Sequence, residues 1–214
     1  MKISKITQLL IVISAIAIIF NLARLDIWGT TNLLYLISNL FLAWIPYIIS
    51  LCFINKDTKV SYFVPIFIIW LLFFPNAPYL VTDVLHIAER SQSLLWYDSL
   101  LFFFFGWIGL LLGVLSLFHI HQYLKAHLAS LTSELAIFAI CLVSSFGIYL
   151  GRFERWNSWD PFLNPSELIR NSFNIFHLTR VEAPFMFVLV FTIFIYSVYR
   201  TIYVLMADRT DIMQ

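Results

Sequence analysis

Six long runs of apolar residues constrain this chain more than any other feature of its sequence. Each run comes close to the ~20 residues that an α-helix needs to cross a lipid bilayer. Hydrophobic residues make up 61% of the 214 positions and charged residues only 12%, whereas soluble domains carry about 25% charged residues. The sequence therefore predicts an all-α, polytopic transmembrane helix bundle. We expect one transmembrane domain over residues 1–214, with spans near 6–23, 31–54, 60–75, 94–118, 130–150 and 183–206.

The basic residues predict the orientation of these spans. Six spans place all five lysines on the side of the two termini: Lys2, Lys5, Lys56, Lys59 and Lys125. Short lysine-bearing segments beside the first spans dominate insertion, and they remain in the cytoplasm. We expect a protein of the bacterial cytoplasmic membrane that contacts membrane lipids and has both termini in the cytoplasm. The net charge of +1 excludes a nucleic-acid binder that relies on a basic surface.

The third span should break near Asn76. Pro75 and Pro78 each lack a backbone donor and disfavour helix in the residue before them. Pro78 suits the first turn of a new helix. If that helix runs to about Arg90, its polar side chains share one side and its apolar ones the other. The polar side holds Tyr79, Thr82, Asp83, His86, Glu89 and Arg90, and the apolar side holds Leu80, Val81, Val84, Leu85, Ile87 and Ala88.

A second polar stretch, residues 151–160, follows the fifth span. It contains Arg152, Arg155, Asn157 and Asp160. The segment that follows resembles a capped helix start, so we expect a short amphipathic interfacial helix over residues 165–178. With the helix after Pro78, it would lie on the outer side of the membrane.

Two strings, FPNAPYLVTD at 74–83 and GRFERWNSWD at 151–160, with Trp96-Tyr97-Asp98 between them, resemble a family of bacterial membrane proteins. That family is described only as a domain of unknown function. The resemblance extends over nearly the whole chain and implies a multi-pass bacterial membrane protein. It implies no activity and no catalytic residues.

Ionisable residues at the edge of hydrocarbon are costly unless they pair or face a cavity. We therefore hypothesise a polar, Asp/His/Arg-lined pocket at the extracytoplasmic rim that binds an anionic lipid or a lipid-linked ligand. Its candidate ligand-binding residues are Asn76, Tyr79, Asp83, His86, Asp98, Arg152, Arg155, Asn157 and Asp160. Arginines can hold a phosphate or carboxylate with two parallel hydrogen bonds. The competing interpretation is that the same arginines pair with Asp83, Asp98 or Asp160 and only lock the spans together.

A metal site is a weaker hypothesis, because the chain has no His-Glu-x-x-His or paired-cysteine motif. Asp83 and His86 lie three apart on one helical face and could chelate one ion. The weak candidate ligands are Asp83, His86, Asp98, Asp160 and His177. Asp83 and His86 are also the candidates for acid–base catalysis, although no reaction and no cofactor can be assigned.

Three classes of function thus remain: a ligand-binding protein or metal-dependent intramembrane hydrolase, a small transporter, and a structural or accessory subunit. Transport is disfavoured because the middles of the spans hold almost no ionisable residues. The small-residue strips of the fourth span (Gly106, Gly109 and Gly113) and of the fifth (Ser144, Gly147 and Gly151) predict that these spans are neighbours. His119, His121 and His127 should be interfacial and solvated, and Glu134 should lie at the inner headgroup level.

Overall fold

The computed structural model describes residues 4–28, 33–53, 60–89, 94–156, 166 and 182–212, and it is all-helical there, without a β-strand. The prediction of an all-α bundle is confirmed. The helices are α1 (Lys5–Trp28), α2 (Tyr35–Ser50), α3 (Val60–Phe73), α4 (Asn76–Thr82), α5 (Leu95–His127), α6 (Ser130–Phe153) and α7 (Glu182–Ile212). Short 3₁₀ helices at Leu51–Phe53 and Asp83–Glu89 extend α2 and α4.

Six helical segments are long and apolar enough to cross a membrane, as predicted. They are Lys5–Arg24, Tyr35–Phe53, Val60–Ile87, Leu95–His127, Ser130–Phe153 and Pro184–Met206. Large apolar side chains such as Leu9, Phe41, Phe103 and Met186 are exposed along them. Exposed apolar surface of this extent suits contact with lipid rather than with water.

The third span breaks where the prolines predict. α3 ends at Phe73, a turn covers Phe74 and Pro75, and α4 begins at Asn76. The Asn76 amide donates to the Phe73 carbonyl at 2.8 Å, which satisfies one carbonyl of the interrupted helix. The helical path then continues past the predicted end at residue 75 to Ile87. The predicted interfacial helix at 165–178 lies outside the described residues except for Ser166.

The central helix is α5, which packs against α1, α2, α4, α6 and α7. The helix continues past the predicted span end at residue 118 and runs to His127, so that only two residues separate it from α6. Polar side chains after residue 118 do not end a helix in the absence of glycine or proline. We expected the His121 side chain to be solvated, and this is wrong, because the side chain is 0% exposed. His121 is a residue of α5, and its ring contacts the Tyr199 hydroxyl of α7.

The glycines of α5 pack against α4 rather than against α6. A Cβ atom added at Gly109 would overlap the backbone oxygen of Ala77 and lie 2.8 Å from Leu80 Cδ1. On the other side, a Cβ at Gly147 of α6 would lie 3.0 Å from Pro75 Cγ. α5 and α6 are in contact, which confirms that these spans are neighbours, but their glycines face the third span rather than each other. Instead, they hold the broken third span between them by close backbone packing.

Candidate functional site

Thr82 at the end of α4 and Asp83 at the start of the 3₁₀ turn have their side chains inside the protein. Asp83 is 1% exposed and Thr82 is 4% exposed, whereas Val84 and Leu85 on the neighbouring side are about half exposed. The predicted partition into two sides is therefore present from Thr82 to Leu85, with the polar side inward. Leu80 departs from it, since it is buried against α5 beside Gly109. The polar side chains meet the end of α6.

Arg152 of α6 is the hub of these contacts. Its Nη2 donates to Asp83 Oδ1 at 2.5 Å and to Thr82 Oγ1 at 2.7 Å. Its Nη1 lies 2.8 Å from His86 Nε2. Because a guanidinium only donates, His86 Nε2 accepts and carries no proton. The guanidinium also lies 4.2 Å from the ring centre of Tyr79, a cation–π distance. The two polar stretches are thus in direct contact.

Asp83 has partners on both of its oxygens, since Asn39 Nδ2 of α2 donates to Oδ2 at 3.2 Å. A carboxylate taken out of water needs such partners. The structure thereby contains the predicted alternative, an ion pair that joins the third span to α6. The candidate ligand-binding residues omitted Asn39 and Thr82, although Thr82 was placed on the polar side of the helix. The available signal for Asn39 was a lone amide within an apolar span, which is costly in lipid unless bonded.

Asp98 does not join this cluster. At the start of α5 it accepts two hydrogen bonds from Arg24 of α1, from Nε at 2.5 Å and from Nη2 at 2.9 Å. Both side chains are almost fully buried. The pair is bidentate, which is the strong geometry for arginine and carboxylate. It fastens α1 to α5, and Arg24 is a further residue that the site hypothesis missed.

A cavity of about 500 Å³ lies beside the Arg152 cluster, between α2, α3, α4 and α6. Most of its lining is apolar, and polar groups are confined to a few positions. It is lined by Asn39, Leu42, Ile68, Leu71, Leu72, Pro75, Asn76, Tyr79, Val143, Phe146, Gly147, Ile148, Leu150, Gly151, Arg155 and Trp156. Of the predicted ligand-binding residues, Asn76, Tyr79 and Arg155 line it, whereas Asp83, His86, Asp98 and Arg152 do not.

Arg155 stands at the polar end of this cavity. It follows the last turn of α6 with a φ of 59°, the left-handed conformation that commonly ends a helix. The Trp156 amide closes the turn by donating to the Leu150 carbonyl at 3.2 Å. The Arg155 side chain is exposed, and within the described part of the chain no hydrogen bond or ion pair is formed by it. Arg152, by contrast, is held by Asp83 and Thr82.

Only some of the candidate metal ligands lie within the described residues. Among these residues, no group of three or more His, Cys, Asp or Glu side chains is close enough to hold an ion. Asp83, His86 and Asp98 already accept hydrogen bonds from Arg152 or Arg24. Asn157, Asp160 and His177 lie outside the described residues. The metal hypothesis therefore gains no support from the contacts that are described.

Residues 38–198 match the model of a family described as a protein of unknown function, DUF1361. The matched segment includes both of the strings at 74–83 and 151–160. No curated protein and no solved structure matches the chain.

Proposed function

Because this chain belongs to the DUF1361 family, whose function is unknown, we propose its function from its cavity: it binds an amphiphile in a membrane. In this proposal one apolar chain of the ligand occupies the cavity between α3 and α6. An anionic headgroup lies against Arg155. The observation that carries the proposal is an apolar cavity of about 500 Å³ whose lining includes Arg155, an exposed side chain that forms no hydrogen bond or ion pair within the described residues. This volume lies within the range of about 300–1,000 Å³ that is typical of small-molecule sites.

The shape of the cavity favours a chain-like ligand. Its lining on α6 runs from Val143 to Gly151, which is about 12 Å at 1.5 Å per residue. Ile68 of α3 and Val143 of α6 are about half exposed at the apolar end. Both lie well inside their candidate spans, so a lipid chain could enter sideways from the bilayer.

The polar end suits a headgroup. An arginine holds phosphate or carboxylate oxygens with directed, charge-assisted hydrogen bonds. Trp156 lines the same end, and indoles favour the level of lipid headgroups. The amides of Asn39 and Asn76 and the Tyr79 ring complete it. A phosphate-bearing lipid therefore matches both ends, whether it is a bilayer phospholipid or an isoprenyl phosphate such as undecaprenyl phosphate.

The first test measures lipid affinity on delipidated, detergent-purified protein by native mass spectrometry. Three lipids are compared: phosphatidylglycerol, phosphatidylcholine with the same acyl chains, and undecaprenyl phosphate. The first two differ in the headgroup alone, and the third carries its phosphate on an isoprenyl chain. We expect the anionic lipids to bind more tightly than phosphatidylcholine. Arg155→Gln should cost about 1.5–3 kcal/mol of that preference, at least about tenfold in affinity. Lys5→Gln, at another exposed cation, is the matched control and should leave it unchanged.

The second test fills the cavity. Val143→Trp places an indole in the cavity, whereas Leu142→Trp places the same group on the adjacent exposed position, which does not line it. We expect weaker binding of all three lipids for Val143→Trp and wild-type binding for Leu142→Trp. Equal effects of both variants, or an anionic preference that survives Arg155→Gln, would refute the proposed site.

We further propose the membrane and orientation that the lysines indicate, namely the bacterial cytoplasmic membrane with both termini in the cytoplasm. α6 then runs outward, and Arg155 faces the extracytoplasmic side. The ligand would enter from the outer leaflet.

A structural or accessory role is the second candidate. It is favoured by the two buried ion pairs, Arg152–Asp83 and Arg24–Asp98, because these account for most of the conspicuous charges without a ligand. In that case Val143→Trp and Leu142→Trp would behave alike in lipid binding. Purified protein would then show no preference among lipids.

A further inference from the structure

A second polar cluster lies where the end of α5, the start of α6 and the middle of α7 meet. Its charged members are Lys125 of α5, Glu134 of α6 and Arg200 of α7. Arg200 Nη1 donates to both oxygens of Glu134, at 2.8 and 2.7 Å. Lys125 Nζ lies 3.9 Å from Glu134 Oε1 and donates to the Tyr203 hydroxyl at 2.6 Å. Glu134 is therefore the shared acceptor of the cluster.

His121 lies behind Glu134 and is fully buried. Its Nδ1 is 2.5 Å from the Tyr199 hydroxyl. Its Nε2 has no hydrogen-bond partner among the described residues, and its closest acid is Glu134, with Oε1 at 3.7 Å. A buried ring nitrogen without a partner is costly, and this one is directed at a carboxylate.

We propose that His121 and Glu134 form a proton-binding site. In the unprotonated state, Nδ1–H donates to the Tyr199 hydroxyl and Nε2 offers a lone pair toward Glu134. A proton from water adds to that lone pair, and no other bond breaks. Nε2–H then donates to Glu134 once the two groups have approached by about 0.7 Å, from 3.7 Å to an ordinary N–H···O distance.

Glu134 gives this buried ring a route to water. Its side chain is 25% exposed, so one carboxylate contacts both solvent and the imidazole. Ionisable chains of histidine and carboxylate are a common means of moving protons at membrane depth. A proton can reach His121 through Glu134 without passing through the apolar core.

Proton binding should weaken the connection between α6 and α7. The groups that face His121 are Lys125 on its own helix, Glu134 on α6, and Tyr199, Arg200 and Tyr203 on α7. Glu134 is the anion among them, and an added charge on His121 competes with Arg200 for it. Arg200 and Lys125 are each about one-third exposed, so water can compensate the cation that is released.

The test is a pH titration of the histidine ring nitrogens by NMR, on protein labelled with ¹⁵N-histidine in lipid nanodiscs. The chain has five histidines, and the loss of one signal in His121→Gln assigns the ring. We expect the His121 ring to gain a proton as the pH is lowered below neutral. Glu134→Gln should alter that titration. His127→Gln is the matched control, because His127 bonds the Tyr123 carbonyl in its own helix, and it should leave the His121 titration unchanged.

A His121 ring that keeps one protonation state throughout the titration overturns the proposal. A titration unaffected by Glu134→Gln overturns the assignment of Glu134 as its partner. If His121→Gln does not fold, single variants at the other four histidines assign the His121 signal by elimination. The lipid-binding assays do not involve this cluster, so the two proposals fail independently.

Discussion

Replacing Gly109 by alanine tests whether the broken third span really lies against α5. A Cβ at Gly109 would overlap the Ala77 backbone oxygen and sit 2.8 Å from Leu80 Cδ1. Ala77 is fully buried, and a backbone oxygen cannot rotate away as a side chain can. α4 would have to move as a unit. Gly113 provides the matched control, because a Cβ there meets Ala77 Cβ and Pro78 Cδ at an ordinary 3.5 Å.

The magnitude follows from two opposing effects. Overpacking of a close contact costs about 1–3 kcal/mol, and alanine is favoured over glycine inside a helix by about 1 kcal/mol. Gly109→Ala should therefore lose up to about 2 kcal/mol, and Gly113→Ala should gain up to about 1 kcal/mol. The helix preference is common to both variants. Their difference, about 1–3 kcal/mol, thus measures the overpacking alone.

The assay is reversible unfolding in mixed micelles of mild detergent and dodecyl sulfate, followed by tryptophan fluorescence. Far-UV circular dichroism before denaturation establishes that both variants keep the wild-type helix content. Equal free energies of unfolding for Gly109→Ala and Gly113→Ala would refute the placement of α4. A Gly113→Ala variant that is less stable than Gly109→Ala would refute it as well.

The remaining predictions concern the buried ion pair and the orientation. Arg152→Met should lower the free energy of unfolding by about 3–5 kcal/mol, because it leaves the Asp83 carboxylate buried without its cation. The double variant with Asp83→Asn should recover most of that loss, whereas Arg155→Met, at an exposed position, should change it by less than about 0.5 kcal/mol. A loss of similar size in Arg155→Met would contradict this. For the orientation, alkaline phosphatase fused after Trp156 should be active and fused after Leu128 inactive, since the enzyme needs an oxidising compartment for its disulfides. The reverse pattern would overturn the proposed topology.

The helices could be predicted because lipid leaves few options for an apolar run. Backbone groups in hydrocarbon must bond within their own segment, so apolar length alone locates most of a span. The same reasoning placed the end of the fourth span at residue 118, because polar residues follow it and polar residues usually face water. α5 nevertheless continues to His127, where α6 and α7 supply partners for those polar groups. A sequence does not state which surfaces another helix will cover.

The close approach between the two polar stretches was predicted, but the identity of the pairs was not. Arg24 ends the first span and Asp98 begins the fourth, and no local pattern connects them. Only the packing of α1 on α5 makes them partners. The same holds for Asn39 and Asp83. Helical periodicity identifies the side on which a residue lies, whereas tertiary packing decides what that side meets.

The arginines of the GRFERWNSWD string show why the function depends on this distinction. Three residues apart on a continuous helix, Arg152 and Arg155 would share one side, and the sequence offered both as ligands for one anion. α6 ends between them at Phe153, and the left-handed backbone at Arg155 turns the chain before the second arginine. Arg152 thereby pairs with Asp83 inside the protein, and Arg155 lines the cavity. One arginine stabilises the fold, and the other is the residue that the proposed lipid headgroup would contact.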